Sequence, residues 1–202
     1  MNIFKRLYDW MLSWGESRWG AVALFCFAFA ESSFFPIPPD VLLIALCLGA
    51  ATRSFRFAAI CTAGSIVGAM AGYAIGFFLW QNTAGEYTAL ARFFFDHVFS
   101  IEAFERVGAL YERYNFWIVF TAGFTPLPYK IFTITGGLFH INFPMFLIAS
   151  ICSRGLRFFA IGWLIWKFGA PIKGFIDKYF NLLAVAFTVL LVGSFFLLGA
   201  LL

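Results

Sequence analysis

Ala30-Glu31-Ser32-Ser33-Phe34-Phe35-Pro36-Ile37-Pro38-Pro39-Asp40 is the stretch that decides the fold, because it separates two apolar runs that are each too short to cross a bilayer. Trp19 to Ala30 and Val41 to Ala51 contain no charge. At about 1.5 Å per residue each spans roughly 17–18 Å, against a hydrocarbon core of roughly 30 Å. Pro36, Pro38 and Pro39 remove amide donors and disfavour helix in the residues before them. The chain is therefore expected to turn at mid-depth as a re-entrant hairpin of two half-helices over 19–51. After Thr52 to Arg56, Phe57 to Trp80 gives an uncharged stretch long enough for a full span.

The same order recurs downstream. Residues 81–114 carry Arg92, Asp96, Glu102, Glu105, Arg106, Glu112 and Arg113 and read as an extramembrane connector. Apolar spacing at Phe104, Val107, Leu110, Tyr111 and Tyr114 predicts a surface helix near its end. A second broken apolar segment follows over 115–139, interrupted by Thr125-Pro126-Leu127-Pro128-Tyr129-Lys130, and a second long segment over 143–166. Phe35-Pro36-Ile37-Pro38-Pro39-Asp40-Val41 aligns with Thr125-Pro126-Leu127-Pro128-Tyr129-Lys130-Ile131 at an offset of 90 residues. Each unit crosses once and the connector does not cross, so the second unit is expected to be inverted relative to the first.

Charge gives an independent test of that topology. With a cytoplasmic amino terminus, the inside loops hold Lys5, Arg6, Arg18, Arg53, Arg56, Lys167, Lys173 and Lys178, and the outside loops hold Arg92, Arg106 and Arg113. This is the positive-inside bias. The expected fold class is thus an all-α integral membrane protein: an inverted repeat of two re-entrant helical hairpins, each followed by a transmembrane helix, plus a C-terminal transmembrane helix. Residues 1–18 read as an amphipathic interfacial helix, 19–166 as the membrane domain, and 167–202 as an amphipathic link with a final span from Phe180 to Leu202.

Composition agrees. Of 202 residues, 62% are hydrophobic and only 12% charged, with a mean hydropathy of +0.88, whereas soluble domains carry about 25% charged residues. No room is left for a catalytic ectodomain. The net charge of +4 reads as topology, not nucleic-acid affinity. Cys26, Cys47, Cys61 and Cys152 lie in apolar runs without a CxxC pair and read as small buried hydrophobes. With His97 and His140 the only histidines, neither a metal site nor any cofactor is expected.

Against this background the intramembrane charges are conspicuous. Glu31 and Asp40 flank the first break, Lys130 lies in the second at the position paired with Asp40, and Arg154 and Arg157 lie within the second long segment. A charge at mid-bilayer costs at least about 2.5–3.5 kcal/mol on insertion scales. Spaced three apart, the two arginines share one helix face. One reading is a polar cavity in which Glu31 and Asp40 bind protons or cations while Lys130, Arg154 and Arg157 hold an anionic group, the arrangement of transporters built from inverted repeats. The other is a set of buried ion pairs locking the hairpins together, for instance Asp40 with an arginine. Asp40 also suits the first turn of a helix beginning near Val41; Glu31, at the end of a half-helix, has no such reason. Gly64, Gly68, Gly72 and Gly76 recur every four residues on one face of the first long helix and read as a packing seam.

These residues resemble the DedA family, also called the VTT-domain or SNARE-associated Golgi protein family, over about residues 19–166. The likeness rests on Ala30 to Asp40, which is similar to the family's Glu followed by Pro-x-Pro and a second acid. It rests also on Gly123-Phe124-Thr125-Pro126-Leu127-Pro128-Tyr129-Lys130, which stands where the family has Gly-Arg-Phe-x-Pro-x-x-Arg and looks most like its YqaA-type branch. The resemblance implies facing re-entrant hairpins, a bacterial inner (cytoplasmic) membrane location and lipid translocation. Glu31 and Asp40 fall on the family's acidic pair and Lys130 on its second basic residue. Phe124 replaces its first arginine, for which Arg154 or Arg157 would substitute. The expected function is a non-enzymatic, flippase- or scramblase-like movement of a phospholipid or undecaprenyl phosphate headgroup, with proton coupling and oligomerisation compatible with it. A proton- or cation-coupled exporter of small solutes and a structural assembly factor are the alternatives.

Overall fold

A computed structural model of the chain describes residues 19–33, 38–79, 86–89, 92, 101–125, 129–169 and 171. The interfacial helix expected over 1–18, the final span expected over 180–202, and Pro36, Pro126 and Pro128 lie outside these residues. Among the described residues the regular elements are helices: α1 (Gly20–Ser33), α2 (Pro39–Gly49), a 3-10 turn (Ala51–Arg53) leading into α3 (Ser54–Leu79), α4 (Ile101–Phe124) and α5 (Tyr129–Leu138), and α6 (Phe143–Gly169). Two helices, Ala51–Phe78 and Phe143–Gly169, are long and apolar enough to cross a membrane.

Local chemistry explains several ends. Pro39 occupies the first turn of α2 with Asp40 beside it, where the missing amide costs nothing and a carboxylate meets the positive end of the helix. His140, at φ 51°, closes α5: its amide donates to the Gly137 carbonyl (3.1 Å) and that of Ile141 to the Gly136 carbonyl (3.1 Å). Both long helices extend beyond the apolar boundaries at 57 and 166, because a charged residue ends an apolar stretch without breaking the backbone ladder. For the same reason α4 runs unbroken through residue 115, joining the polar helix of the connector to the first apolar piece of the second broken segment. No proline lies between Ile101 and Phe124.

Glycines set how the helices meet. A Cβ on Gly64 would strike the Phe25 carbonyl, one on Gly68 the Phe29 carbonyl, and one on Gly72 the Thr133 hydroxyl and Ser32 carbonyl. One on Gly76 would strike the Ile134 carbonyl. Sequence order along α3 thus follows α1 and then α5, so the two short helices lie end to end, parallel to α3, on its glycine face. Helix α6 runs antiparallel to α3: Gly155 faces Thr62, Gly162 faces Ser54, and the Tyr73 ring packs on Phe143 and Phe146 (5.1 Å each).

Both broken segments reverse near the middle of these long helices. Ser32 lies level with Ser65, whereas Cys47 lies against Ser54 at the start of α3. Gly123 lies against Ser153 in the middle of α6, whereas Leu138 lies against Gly76 near the end of α3. One apolar cluster joins Leu24, Ala28, Leu42, Leu46, Phe158 and Ile165 at one end. A second joins Tyr73, Tyr111, Val119, Tyr129 and Phe146 at the other. The two clusters leave the polar side chains of the breaks between them.

Candidate functional site

Helix α6 brings both broken segments to one place. Arg154 is buried, with 2% of its side chain exposed, and its guanidinium Nη2 donates to Glu31 Oε2 near the end of α1. Its Nε donates to Ser65 Oγ on α3 (2.7 Å). The Ser65 hydroxyl pairs with that of Ser32 (2.7 Å), and Ser32 Oγ donates to Glu31 Oε2 (3.1 Å). The guanidinium carbon stands 5.0 Å from the Tyr129 ring centroid and 4.8 Å from that of Phe158, a cation–π arrangement that strengthens away from water. Charge, hydrogen bonds and rings therefore surround Arg154 on several sides.

Arg157, one turn along the same face, is held differently. It grips Asp40 with two parallel bonds, Nε to Oδ1 at 2.9 Å and Nη2 to Oδ2 at 2.8 Å, the fork geometry that makes arginine–carboxylate pairs directional. Its Nη1 donates to the Thr125 carbonyl just past the end of α4 (2.6 Å). One guanidinium thus ties the first turn of α2 to the residue that follows α4, meeting the negative end of one helix while its partner carboxylate sits at the positive end of the other. The pair is also more exposed, 14% for Arg157 and 15% for Asp40.

The third cation is not paired in this way. Lys130 is half-buried in the first turn of α5, and among the described residues its ammonium makes no ion pair. Its place in the network is through the backbone: the Thr133 hydroxyl reaches both the Lys130 carbonyl (3.0 Å) and the Ser32 carbonyl (2.9 Å). Next to it, Tyr129 is fully buried and donates its hydroxyl to Ser150 Oγ (2.6 Å).

All five charged residues singled out from sequence therefore lie on α1, α2, α5 and α6 around the two breaks, and four of them close as Glu31–Arg154 and Asp40–Arg157. Pro38 directly precedes α2. Sequence reasoning missed Ser32, Ser65, Tyr129, Thr133 and the Thr125 carbonyl. A serine beside the glycine face of an uncharged helix was the available signal for Ser65; the Thr125 carbonyl has no side-chain signature. Phe124, where the resembled motif has arginine, is exposed. All four cysteines are free, with Cys47 and Cys61 buried and Cys26 and Cys152 exposed on apolar helices.

The chain is 32% identical over 201 residues to an uncharacterized protein of Haemophilus influenzae, covering 98% of this chain and 99% of that one. It is 30% identical over 181 residues to an uncharacterized protein of Histophilus somni, covering 88% and 91%. No family model matches the chain, and no solved structure matches it.

Proposed function

We propose that the chain, which belongs to one family with these two bacterial proteins, is a multi-pass inner-membrane lipid translocase of DedA type. In this reading the two broken segments are re-entrant hairpins related by inversion, and an anionic or zwitterionic headgroup passes between them while its acyl chains stay in the bilayer. The apolar helices support a bilayer setting. Less than half of the most apolar window of each long helix is buried, 44% and 39%, and Ile148, Leu156, Phe159 and Trp163 project outward from α6. A soluble protein would leave these as large apolar patches in water.

The observation that carries the functional reading is a charge imbalance at the breaks. Two carboxylates, Glu31 and Asp40, pair with Arg154 and Arg157, while Lys130 at the start of α5 forms no ion pair among the described residues. One positive charge remains, which matches a monoanionic phosphodiester. The two arginines divide the work: Arg154, buried and held from several directions, keeps the hairpins assembled. Arg157 is partly exposed and can exchange Asp40 for a headgroup phosphate, with Lys130 as the second ligand. Release of Asp40 on headgroup binding is the step at which a proton gradient would couple. A second reading, in which both ion pairs only lock the hairpins, is favoured by the closure of both pairs.

Purified protein in liposomes carrying fluorescent phospholipid or polyprenyl phosphate, with and without a pH gradient, separates the two. Translocation by the wild type that falls at least tenfold in Lys130→Gln and Arg157→Gln, with folding intact, supports the proposal. Folded protein that moves no lipid, or variants as active as wild type, overturns it.

A further inference from the structure

One hydroxyl joins the two broken segments. Ser32 is buried beside the last residue of α1, so its carbonyl is among the final four of that helix, which have no intrahelical partner. A buried carbonyl needs a donor, and here the donor comes from the other break: Thr133 Oγ1, itself buried, donates to it at 2.9 Å from 101 residues away. The same hydroxyl reaches the Lys130 carbonyl at 3.0 Å, the bond to the preceding turn that helical threonines commonly make. Its single proton is therefore shared between the peptide of Lys130 and that of Ser32. Helix α3 leaves the room for this, since a Cβ on Gly72 would strike both the Thr133 hydroxyl and the Ser32 carbonyl. From the other side, the Ser32 hydroxyl pairs with Ser65 and donates to Glu31, which fixes the end of α1 to the network around Arg154.

We infer that Thr133 is a positioning residue for Lys130: its hydroxyl holds the first turn of α5 to the buried end of α1 and so fixes the peptide from which the Lys130 side chain extends. The inference rests on the proposed function, in which Lys130 is a headgroup ligand. Arg154 and Arg157 are oriented directly, by carboxylates on their guanidinium groups. Lys130 forms no ion pair among the described residues, and a long, rotamer-rich side chain is ordered only as well as the backbone that carries it. Fixing that backbone in advance reduces the ordering cost when an ammonium meets a phosphate. A link that served assembly alone would act in the same way whether residue 130 were lysine or glutamine, whereas a positioning link acts through the lysine.

Full-length protein in liposomes, with the initial rate of fluorescent phosphatidylglycerol translocation measured against the mole fraction of that lipid, tests the role. Thr133→Val keeps the shape of the side chain and removes the hydroxyl. It is expected to raise the half-saturating mole fraction about fivefold, the effect of one net intramolecular hydrogen bond, with a smaller change in maximal rate. Thr133→Ser is expected to restore the wild-type value, and Gly72→Ala to reproduce the valine effect by filling the place of the hydroxyl. On the residual rate of Lys130→Gln, adding Thr133→Val is expected to change nothing further, because the side chain it positions is gone. No effect of Thr133→Val in the wild-type background, an undiminished effect in Lys130→Gln, or no rescue by serine would overturn the inference. Amide hydrogen exchange of the same proteins in detergent is independent of transport: Thr133→Val is expected to speed exchange both at the end of α1 and in the first turns of α5, and unchanged exchange at either overturns the inference. Folded wild type that moves no lipid refutes the proposed function instead, and the exchange measurement then decides whether Thr133 holds the two segments together.

Discussion

Arg154→Ala should destabilise the protein considerably more than Arg157→Ala, although the two arginines are three residues apart and each pairs with one acid. Truncating Arg154, 2% exposed, leaves Glu31, 13% exposed, with the Ser32 hydroxyl as its remaining side-chain partner among the described residues. Breaking a buried pair by removing one partner costs about 3–5 kcal/mol, since the surviving charge is uncompensated. Truncating Arg157 leaves Asp40, 15% exposed, in the first turn of α2. The helix end there recovers about 0.3–1 kcal/mol for a carboxylate of the about 1.5–3 kcal/mol typical of a charged hydrogen bond, for a net loss of about 1–2 kcal/mol. The difference of about 2–3 kcal/mol corresponds to about 4–12 °C in melting midpoint for a chain of this size, measurable by thermal unfolding in detergent followed by circular dichroism. The double variant Glu31→Gln, Arg154→Met should recover most of the Arg154→Ala loss, because it leaves no unpaired charge and keeps an apolar side chain against Tyr129 and Phe158. An Arg154→Ala midpoint at or above that of Arg157→Ala, or a double variant less stable than Arg154→Ala, would refute the assignment of Arg154 as the structural member.

The glycine seam makes its own prediction: Gly76→Ala and Gly137→Ala drive a methyl into the Ile134 and Tyr73 carbonyls, backbone atoms that cannot rotate away, and should each cost about 1–3 kcal/mol. Gly155→Ala, whose nearest neighbour is the Thr62 methyl at 3.9 Å, should be neutral or stabilise by up to about 1 kcal/mol through helix propensity; equal effects at the three positions in the same melting assay would contradict the packing. Exchanging the second pair, Asp40→Arg with Arg157→Asp, should not restore the stability of wild type. The swap sets a carboxylate against the Thr125 carbonyl and a cation at the positive end of α2, so full recovery would show that helix ends contribute nothing there.

Much of the helix inventory was legible because it depends on neighbours in the chain. Proline placement announced the breaks, and the lengths of the uncharged runs separated short helices from long ones. Polarity marks helix ends poorly: α3 starts at Ser54, α6 runs to Gly169 and α4 continues through residue 115, since side-chain charge does not interrupt backbone hydrogen bonding. The candidate site was legible as a list of five charged residues but not as an arrangement. Nothing local distinguishes Arg154 from Arg157: both are arginines on one face of an apolar helix. Their difference comes from Ser65 and from the rings of Tyr129 and Phe158 around one, and from the Thr125 carbonyl and the first turn of α2 around the other.

By itself, then, the sequence determined that the chain is apolar and helical, that it breaks twice at prolines, and that its few charges within apolar segments cluster at those breaks. Only the tertiary structure decided which acid meets which arginine. Glu31 and Arg154 are 123 residues apart and Asp40 and Arg157 are 117, so their pairing depends on the rotational phase of α1, α2 and α6 about their axes. That phase is set by glycines allowing α1 and α5 to press against the backbone of α3, a condition of contact between distant segments that no local pattern encodes.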